Sequence, residues 1–309
     1  MRDTHNIAII DGGLAGLSAA VHAATSGASV VCFERAPLYG GLVANVGRLD
    51  DWPASGTTAG IALAEHLASR ARELGVILAT TNVTSLAVAE DALAIAAGAT
   101  NYQCNAAIVA SGARLRRLDV PGERELAGRG VSQCDWCDGG LYRGQHVAVV
   151  GGGDAALQAA LHLADGCESV TVIVRGSGLR ARRDYALRAA DNPKIEFFWE
   201  TRVERILGQD GVEGLSLISL PDGARSERPF AAVFIFAGVV PNLEFAPASL
   251  NRDEAGYAVT DANYRSSLHG IFVVGAARTG NGGSLLSAMG EGTSAAAAAV
   301  ANLKRADLL

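Results

Sequence analysis

The chain has 309 residues, of which 49% are hydrophobic, and a formal net charge of −6 at pH 7. This length accommodates two domains of ordinary size, and a negative chain without a long run of Lys or Arg argues against a nucleic-acid-binding protein. The amino terminus has no apolar signal segment, and the Ala-rich run at residues 295–300 is too short to cross a bilayer. The few scattered cysteines suit a reducing compartment, so we expect a soluble cytoplasmic protein with no membrane contact.

The first residues predict a dinucleotide-binding fold. Residues 7–10 are a short apolar run typical of a buried parallel strand, and a helical pattern covers residues 17–25. The glycine-rich turn between them lets the backbone approach a pyrophosphate at the helix amino terminus, although an ordinary tight turn is the alternative. The candidate binding residues in this turn are Gly12, Gly13, Ala15 and Gly16. The strand predicted at residues 29–33 leads to Glu34, about 20 residues further on, where a carboxylate accepts from ribose hydroxyls.

Further segments of the first half place polar or small residues where a cofactor can lie. The loop at residues 35–41 begins at Arg35 and ends at Gly41, and its paired glycines can run beside a flat ring. The segment that begins at Asp51 can pack nearby, although a surface turn around a buried Trp52 is an equal alternative. A buried strand is predicted at residues 106–112. The cofactor candidates at its end are Ala110, Ser111 and Gly112.

Two cysteines separated by two residues, Cys134 and Cys137, are followed directly by Asp138. A pair at this spacing can close and reopen a short disulfide ring, so we interpret it as a redox centre. The alternatives are half of a zinc site, or two buried thiols that happen to lie close. Zinc would need two more ligands, and the remaining cysteines are scattered singly, so no metal site is expected. Because the thiolate is the attacking species, the Asp138 carboxylate is a candidate for proton transfer.

The second half repeats the nucleotide motif. A strand is predicted at residues 146–150, a helix at residues 157–164 and a second strand at residues 170–174, around an intact G-x-G-x-x-A turn. The candidate residues of this turn are Gly151, Gly153, Asp154, Ala155 and Ala156. Arg175 and Arg180 follow the second strand, where guanidinium groups favour the extra phosphate of NADP, although exposed loop arginines are the alternative.

The order of these elements predicts an α/β protein with two Rossmann-like domains. A helix is predicted at residues 61–74, short strands at 76–97 and 195–218, and linkers at 114–122 and 238–242. The buried strand at residues 270–276 ends in Gly275 and Ala276, and the last helix begins near Ser284 and Leu285. Since this strand has the form of those in the first motif, we expect the second domain to be inserted in the first. The predicted boundaries are 1–114, 115–237 and 238–309.

The motif order resembles the low-molecular-weight thioredoxin reductases, the small FAD-containing branch of the pyridine nucleotide disulfide oxidoreductases. The resemblance covers nearly the whole chain and is densest from residue 128 through the two cysteines to residue 153. It includes the glycines at 40–41, Trp52 with Pro53, residues 110–112, and Gly238 with Pro241. The resemblance implies FAD on the discontinuous domain, NADPH on the inserted domain, a homodimer, and rotation of one domain against the other.

The resemblance also implies the roles of the redox residues. Cys137 would lie against the flavin and take its electrons, Cys134 would attack the substrate disulfide, and Asp138 would handle the proton. The partner is expected to be a thioredoxin-like protein or a small-molecule disulfide or dithiol.

Four departures from the family pattern concern the cofactors and the partner. Asp11 replaces the first fingerprint glycine, which crowds the turn and adds negative charge near a pyrophosphate. Ala276 replaces an aspartate that anchors the flavin's ribityl chain, so FAD is expected to bind less tightly or through other groups. The basic cluster of the NADPH site is reduced to Arg175 and Arg180. The aromatic pair that receives thioredoxin reads Gly-Leu at residues 140–141, although Arg129 in the docking loop remains.

These departures leave other functions open. One alternative is a dithiol oxidase in which oxygen reoxidises the flavin, and a related variant takes electrons from ferredoxin or another carrier. A redox sensor without catalytic activity is an alternative of another class.

Overall fold

The protein was analysed as a computed structural model that describes residues 3–49, 52–53, 59–90, 92–281 and 283–306. It divides into two compact units. The outer unit comprises Met1–Arg114 and Val240–Leu309, and the inserted unit comprises Leu115–Val239. Both units are α/β: the sheet of the outer unit is mixed and mostly parallel, and the main sheet of the inserted unit is parallel, which confirms the predicted fold class.

The elements follow one another in three stretches. The first contains β1 (Asp3–Ile10), α1 (Leu14–Thr25), β2 (Val30–Glu34), α2 (Gly60–Glu73), β3 (Ile77–Thr80), β4 (Val83–Val88), β5 (Leu93–Ala97), β6 (Thr100–Val109) and β7 (Ala113–Leu115). The second contains β8 (Val131–Ser132), α3 (Asp135–Asp138), β9 (His146–Val150), α4 (Asp154–Ala164), β10 (Ser169–Ile173), α5 (Arg183–Ala190), β11 (Ile195–Phe198), β12 (Thr201–Leu207), β13 (Gly214–Ser219), β14 (Arg225–Pro229) and β15 (Ala232–Ile235). The third contains β16 (Val239–Pro241), β17 (Ile271–Val273) and α6 (Leu285–Arg305).

The sheet of the outer unit has the order β3-β2-β1-β6-β5-β4, and β17 also pairs with β6. Strand β1 runs parallel to β2 and β6. Its apolar run is buried on both faces: Ile7 and Ile9 pack in the core that includes residues of α1 and α6, and Ala8 and Ile10 pack in the core on the other side. Since parallel strands end at the same edge, β1, β2 and β6 bring the first glycine turn, Glu34 and Ala110 to one edge.

Helices α1 and α6 pack closely because their contact residues are small. A Cβ atom at Gly292 of α6 would overlap the carbonyl oxygen of Ala15 in α1. Ala295, Ala296 and others of the Ala-rich run form the buried face of α6. Among the described residues, no helix combines the length and the apolar character needed to cross a membrane.

The inserted unit has a five-stranded parallel sheet of order β11-β10-β9-β15-β8 and a three-stranded antiparallel sheet of β12, β13 and β14. Strand β9 is the centre of the parallel sheet, and its apolar residues are buried among those of α4, β10 and β15. The elements that the sequence analysis did not predict include the short helices α3 and α5 and a 3-10 helix at Gly41–Asn45. In α5 only Tyr185 and Ala189 are buried, which leaves too little apolar periodicity to signal a helix.

Candidate active site

The two cysteines of the redox motif are joined by a disulfide at the start of α3. Cys134 is the N-cap of this four-residue helix, and the Cys137 N–H donates to the Cys134 Sγ over 3.2 Å. Cys134 is half-buried, whereas Cys137 is exposed. The bonded pair fits the redox interpretation and leaves neither thiol free to serve as a zinc ligand. Within the described ranges no group of His, Cys, Asp or Glu side chains is placed to hold a metal ion.

Asp138 is tied to the turn through a serine that the sequence analysis did not single out. The buried Ser132 hydroxyl donates to the Asp138 carboxylate over 2.6 Å and accepts from the Cys134 N–H over 3.0 Å. Ser132 is the last residue of β8, so its position is fixed by the parallel sheet. One hydroxyl therefore connects the candidate proton carrier to the backbone of the first cysteine.

The three other cysteines lie in the cores of the two units. Cys32, Cys104 and Cys167 are free and buried. Loss of hydration on burial raises the pKa of all three thiols, to about 12 for Cys104. Because a protonated thiol is a poor nucleophile, these cysteines do not compete with the redox pair.

The first glycine turn of the outer unit is built around Glu34. This buried carboxylate accepts from the Gly12 N–H over 3.1 Å and from the Ala36 N–H over 2.8 Å. The glycine loop packs on the turn, since the Gly40 N–H donates to the Gly12 carbonyl over 2.8 Å. Among the residues that the structure describes, no side chain caps the amino terminus of α1, so its N–H groups remain suited to an anion.

Asp11 adopts a backbone φ of 85°, the left-handed conformation that a fingerprint glycine would supply. Burial of its carboxyl, and then hydrogen bonding and repulsion from Glu34, raise the pKa of Asp11 from 3.8 to about 8. At neutral pH Asp11 is therefore mostly protonated and donates to Glu34. The negative charge that the sequence led us to expect at this turn is largely absent, because the expectation took no account of burial.

A cavity of about 350 Å³ opens beside this turn in the outer unit. Asp11, Arg35 and Ser111 line it, together with Thr81 and Asn82, which the sequence analysis did not select. Ser111 is held in place because its hydroxyl donates to the Asn242 carbonyl over 2.6 Å. The exposed Arg35 guanidinium is the cationic group of the lining.

The remaining cofactor candidates of the outer unit fall into two groups. Several lie together at one edge of the sheet. A Cβ atom added at Gly16 would lie 3.3 Å from the Ala110 Cβ, and one added at Gly275 would lie 3.3 Å from the Ala15 Cβ. A Cβ atom added at Gly41 would lie 3.5 Å from the Gly13 Cα. The others lie at segment ends. Gly112 has a φ of 59°, Ser284 caps α6 with Ser287, and Leu285 packs against the apolar cluster around α1 and α2. Asp51 lies outside the described residues.

The turn at Ala276 has no polar side chain of its own, but a buried acid on α6 supports it. The Glu291 carboxylate accepts from the Gly275 N–H over 2.7 Å, from the Arg278 guanidinium over 2.6 Å and from the Asn281 amide over 2.9 Å. Hydrogen bonding to Glu291 raises the pKa of Arg278. Glu291 thus fixes the backbone of this turn through a network that no sequence motif signals.

The second glycine turn lies in the inserted unit, between β9 and α4. Gly151 has a φ of 146°, and a Cβ atom there would overlap the Phe236 carbonyl oxygen, so only glycine fits. Gly153 faces open space and no side chain caps α4. Ala155 is exposed, and Ala156 packs in the core. The Arg182 N–H and guanidinium bind the Asp154 carboxylate over 2.7 and 3.1 Å, which offsets the acidic charge at this helix end.

The predicted phosphate-binding arginines lie on the loop after β10. Arg175 and Arg180 are both exposed, and the Arg180 N–H donates to the Gly152 carbonyl over 2.7 Å. That bond holds the loop against the glycine turn. Arg182, which was not among the predicted residues, also lies at this turn, because its guanidinium binds the Asp154 carboxylate.

The family model described as pyridine nucleotide-disulphide oxidoreductase matches residues 5–299. The chain belongs to this family. Among curated proteins, the thioredoxin reductase of Listeria monocytogenes is 34% identical over 93% of this chain and 90% of its own length. That of Treponema pallidum is 35% identical over 97% of both chains. The crystal structure of Lactococcus lactis thioredoxin reductase matches with a TM-score of 0.93 at 33% identity, covering 97% of this chain and 99% of that one.

These comparisons and the redox disulfide together define the enzyme class. The chain is a flavin-dependent disulfide oxidoreductase of the thioredoxin reductase type, and FAD and NADPH are the cofactors of this type. The residues present fit both groups. The outer unit offers an uncapped helix, the Glu34 carboxylate and a cavity with a guanidinium, and the inserted unit offers a second uncapped helix with arginines beside it.

Substitution of Asp11 by Asn tests its buried, protonated state. The pKa of Asp11 is about 8 in the folded chain and 3.8 as its ordinary value, so the folded state holds this proton to higher pH. The free energy of unfolding should therefore fall as pH rises between about 4 and about 8. Asp11→Asn, which keeps a donor toward Glu34, should show a weaker fall when the urea midpoint is measured across this range. Asp210→Asn, at an exposed position, is the control. Equal slopes in the wild type and Asp11→Asn would contradict a protonated Asp11.

Proposed function

We propose that this enzyme reduces the disulfide of a thioredoxin-like protein with electrons from NADPH, by way of FAD and the Cys134–Cys137 pair. The observation that carries the proposal is the redox turn itself, where half-buried Cys134 and exposed Cys137 form a disulfide close to the Asp138 carboxyl that Ser132 binds. A disulfide of this kind passes electrons to a partner through a mixed disulfide. Thioredoxin as the partner is supported by the names of the relatives, which are thioredoxin reductases.

We assign the attacking role to Cys134 and the resolving role to Cys137. The Cys137 N–H points at the Cys134 Sγ, and a hydrogen bond of this kind favours a thiolate on Cys134 once the disulfide is reduced. The Cys134 thiolate attacks the substrate disulfide, forms a mixed disulfide and releases one substrate thiolate. The Cys137 thiolate then attacks the Cys134 sulfur, which re-forms the Cys134–Cys137 bond and releases the second substrate thiolate.

Proton balance assigns a role to Asp138. Full reduction of one disulfide consumes one NADPH and one proton and yields two thiols. The two released thiolates must be protonated, and the Asp138 carboxyl, held by Ser132 next to the redox turn, is placed to deliver and recover a proton. FAD, when bound, supplies the two-electron carrier between the nicotinamide and the disulfide.

We propose that FAD is held by the outer unit. In this proposal the uncapped end of α1 would receive the pyrophosphate, Glu34 would accept from the ribose, and Arg35 and Ser111 would contact the cofactor from the cavity wall. The turn at Gly275 and Ala276, fixed by Glu291, approaches the cofactor through its backbone. The other proposed FAD residues are Gly12, Gly13, Ala15, Gly16, Gly41, Asp51, Ala110, Gly112, Ser284 and Leu285.

We propose that NADPH is held by the inserted unit. The turn of Gly151 and Gly153 receives the pyrophosphate at the start of α4, with Asp154, Ala155 and Ala156 in its first residues. The exposed guanidinium groups of Arg175 and Arg180 supply positive charge for the extra phosphate.

We also propose a cytoplasmic homodimer that binds neither nucleic acid nor membrane. The free thiols of Cys32, Cys104 and Cys167 suit a reducing compartment, and the net charge of −6 disfavours a phosphate backbone. The homodimer rests on the family resemblance, and size-exclusion chromatography with light scattering tests it.

Single cysteine variants test the division of roles. Cys137→Ser leaves the attacking thiol without its resolving partner, so it should accumulate a covalent adduct with oxidised thioredoxin that is visible on a non-reducing gel. Cys134→Ser should form little adduct and, like Cys137→Ser, should lose turnover. Both variants should still bleach their flavin with NADPH under anaerobic conditions. Adduct formation by Cys134→Ser and not by Cys137→Ser would reverse the assignment.

An isosteric pair at position 132 tests the hydroxyl that holds Asp138. Ser132→Val and Ser132→Thr have nearly the same shape, and only Thr can donate to the Asp138 carboxylate. A hydrogen bond to a charged group is worth about 1.5–3 kcal/mol, so Ser132→Val should slow disulfide reduction on the order of tenfold or more. Ser132→Thr should stay near the wild-type rate, and flavin reduction by NADPH should be unchanged in both. Equal rates for Val and Thr would show that the hydroxyl plays no part.

A further inference from the structure

The two residues between the cysteines are both held by one residue outside the turn. His162, on α4, contacts Asp135 and Trp136. Its Nδ1 lies 2.8 Å from the Asp135 carboxylate, and its ring stacks on the Trp136 indole with centroids 3.9 Å apart and planes 17° apart. A single imidazole therefore fixes both side chains of the turn that the disulfide closes.

Trp136 is more exposed to solvent than Asp135 and His162. The Asp135 and His162 side chains are 13% and 30% exposed, whereas Trp136 remains 47% exposed even though its ring is stacked. An indole that is already held in one orientation loses little conformational entropy when a partner covers it. Trp136 is thus a preorganised apolar surface in the redox turn.

The chemistry of the turn requires a substrate to come close to this surface. Disulfide exchange brings a substrate sulfur into bonding contact with Cys134. Trp136 belongs to the same short turn, so a polypeptide whose cysteine reaches the Cys134 sulfur must pass near the exposed indole. Residues beside the substrate cysteine are therefore candidates to cover the Trp136 ring.

The charged residues of the redox turn favour some residues beside the substrate cysteine over others. The turn carries two acidic residues and no basic side chain of its own: Asp135 is mostly buried against His162, and Asp138, which follows Cys137, is half-buried. Acidic residues beside the substrate cysteine would meet like charge, whereas apolar residues would bury the indole face.

We propose that Trp136 is a specificity-determining contact for apolar residues that flank the reactive cysteine of a polypeptide substrate. His162 is the positioning residue that holds the indole for this contact. The inference deepens the proposed function and rests on its assignment of Cys134 as the attacking sulfur.

The test measures a single exchange step in full-length holoenzyme with the Cys137→Ser substitution, so that Cys134 is the only thiol of the pair. Three probes carry 5-thio-2-nitrobenzoate in a mixed disulfide: 2-mercaptoethanol, a short peptide with Leu and Trp beside its cysteine, and the same peptide with Glu at those positions. The Cys134 thiolate displaces thionitrobenzoate and becomes disulfide-bonded to the probe. Stopped-flow absorbance gives each rate without thioredoxin or NADPH.

We expect the apolar peptide to react about tenfold faster than the acidic peptide, which corresponds to about 1.4 kcal/mol. Adding Trp136→Ala should reduce this ratio to about twofold or less and leave the 2-mercaptoethanol rate unchanged. His162→Ala should also reduce the ratio, whereas His162→Phe, which keeps a ring against the indole, should preserve it.

An unchanged peptide ratio in Trp136→Ala would overturn the contact role of Trp136. An equal loss with all three probes would overturn it as well, because that pattern marks damage to the thiol and not a lost contact. Equal ratios in His162→Phe and His162→Ala would overturn the positioning role of His162. If no probe released thionitrobenzoate from the Cys137→Ser protein, the assignment of Cys134 in the proposed function would fail, and this inference would fail with it.

Discussion

One hydroxyl, that of Ser132, connects the redox turn of this chain to strand β8. It donates to the Asp138 carboxylate and accepts from the Cys134 N–H, so the proposed proton carrier and the backbone of the first cysteine are bound to the same side chain. Because Ser132 ends a strand of the parallel sheet, the anchor itself is fixed by the core of the inserted unit. On the other side of the turn, His162 holds Asp135 and Trp136. The turn is therefore held by strand β8 through Ser132 and by helix α4 through His162. These two contacts fix the position of the Asp138 carboxyl relative to the Cys134–Cys137 disulfide.

Two departures from the family pattern are accommodated by burial and by neighbouring side chains. Asp11 occupies a left-handed position that usually belongs to glycine, and burial beside Glu34 keeps it mostly protonated at neutral pH. The added side chain therefore brings a hydrogen-bond donor in place of a charge. Ala276 stands where the family has an aspartate, and no acidic side chain takes its place in that turn. The Glu291 carboxylate instead accepts from the Gly275 N–H and from the Arg278 guanidinium. In both places a change that looks unfavourable in the sequence is offset by a neighbour in the fold.

Much of the fold could be predicted from the sequence because its strands are short apolar runs that end in glycine turns. Strands β1 and β9, the helices that follow them and the redox pair all carry local signals of this kind. The contacts that hold the redox turn and the Gly275 turn in place have no local signal in the sequence. His162 lies 27 residues from Asp135, and Glu291 lies 16 residues from Gly275, so each pair forms only when separate elements pack. The protonation of Asp11 depends on burial, which composition and spacing do not report, and α5 has too few buried residues for an apolar period.

We expect Cys134 and Cys137 to form one redox centre that exchanges electrons with a bound flavin. Anaerobic reductive titration of the wild type and of a variant with both cysteines replaced by serine tests it most directly. A flavin and a disulfide each accept an electron pair, so the wild type should take up about twice as many electrons per flavin as the variant. Equal electron uptake by the two proteins would show that the Cys134–Cys137 pair receives no electrons from the flavin.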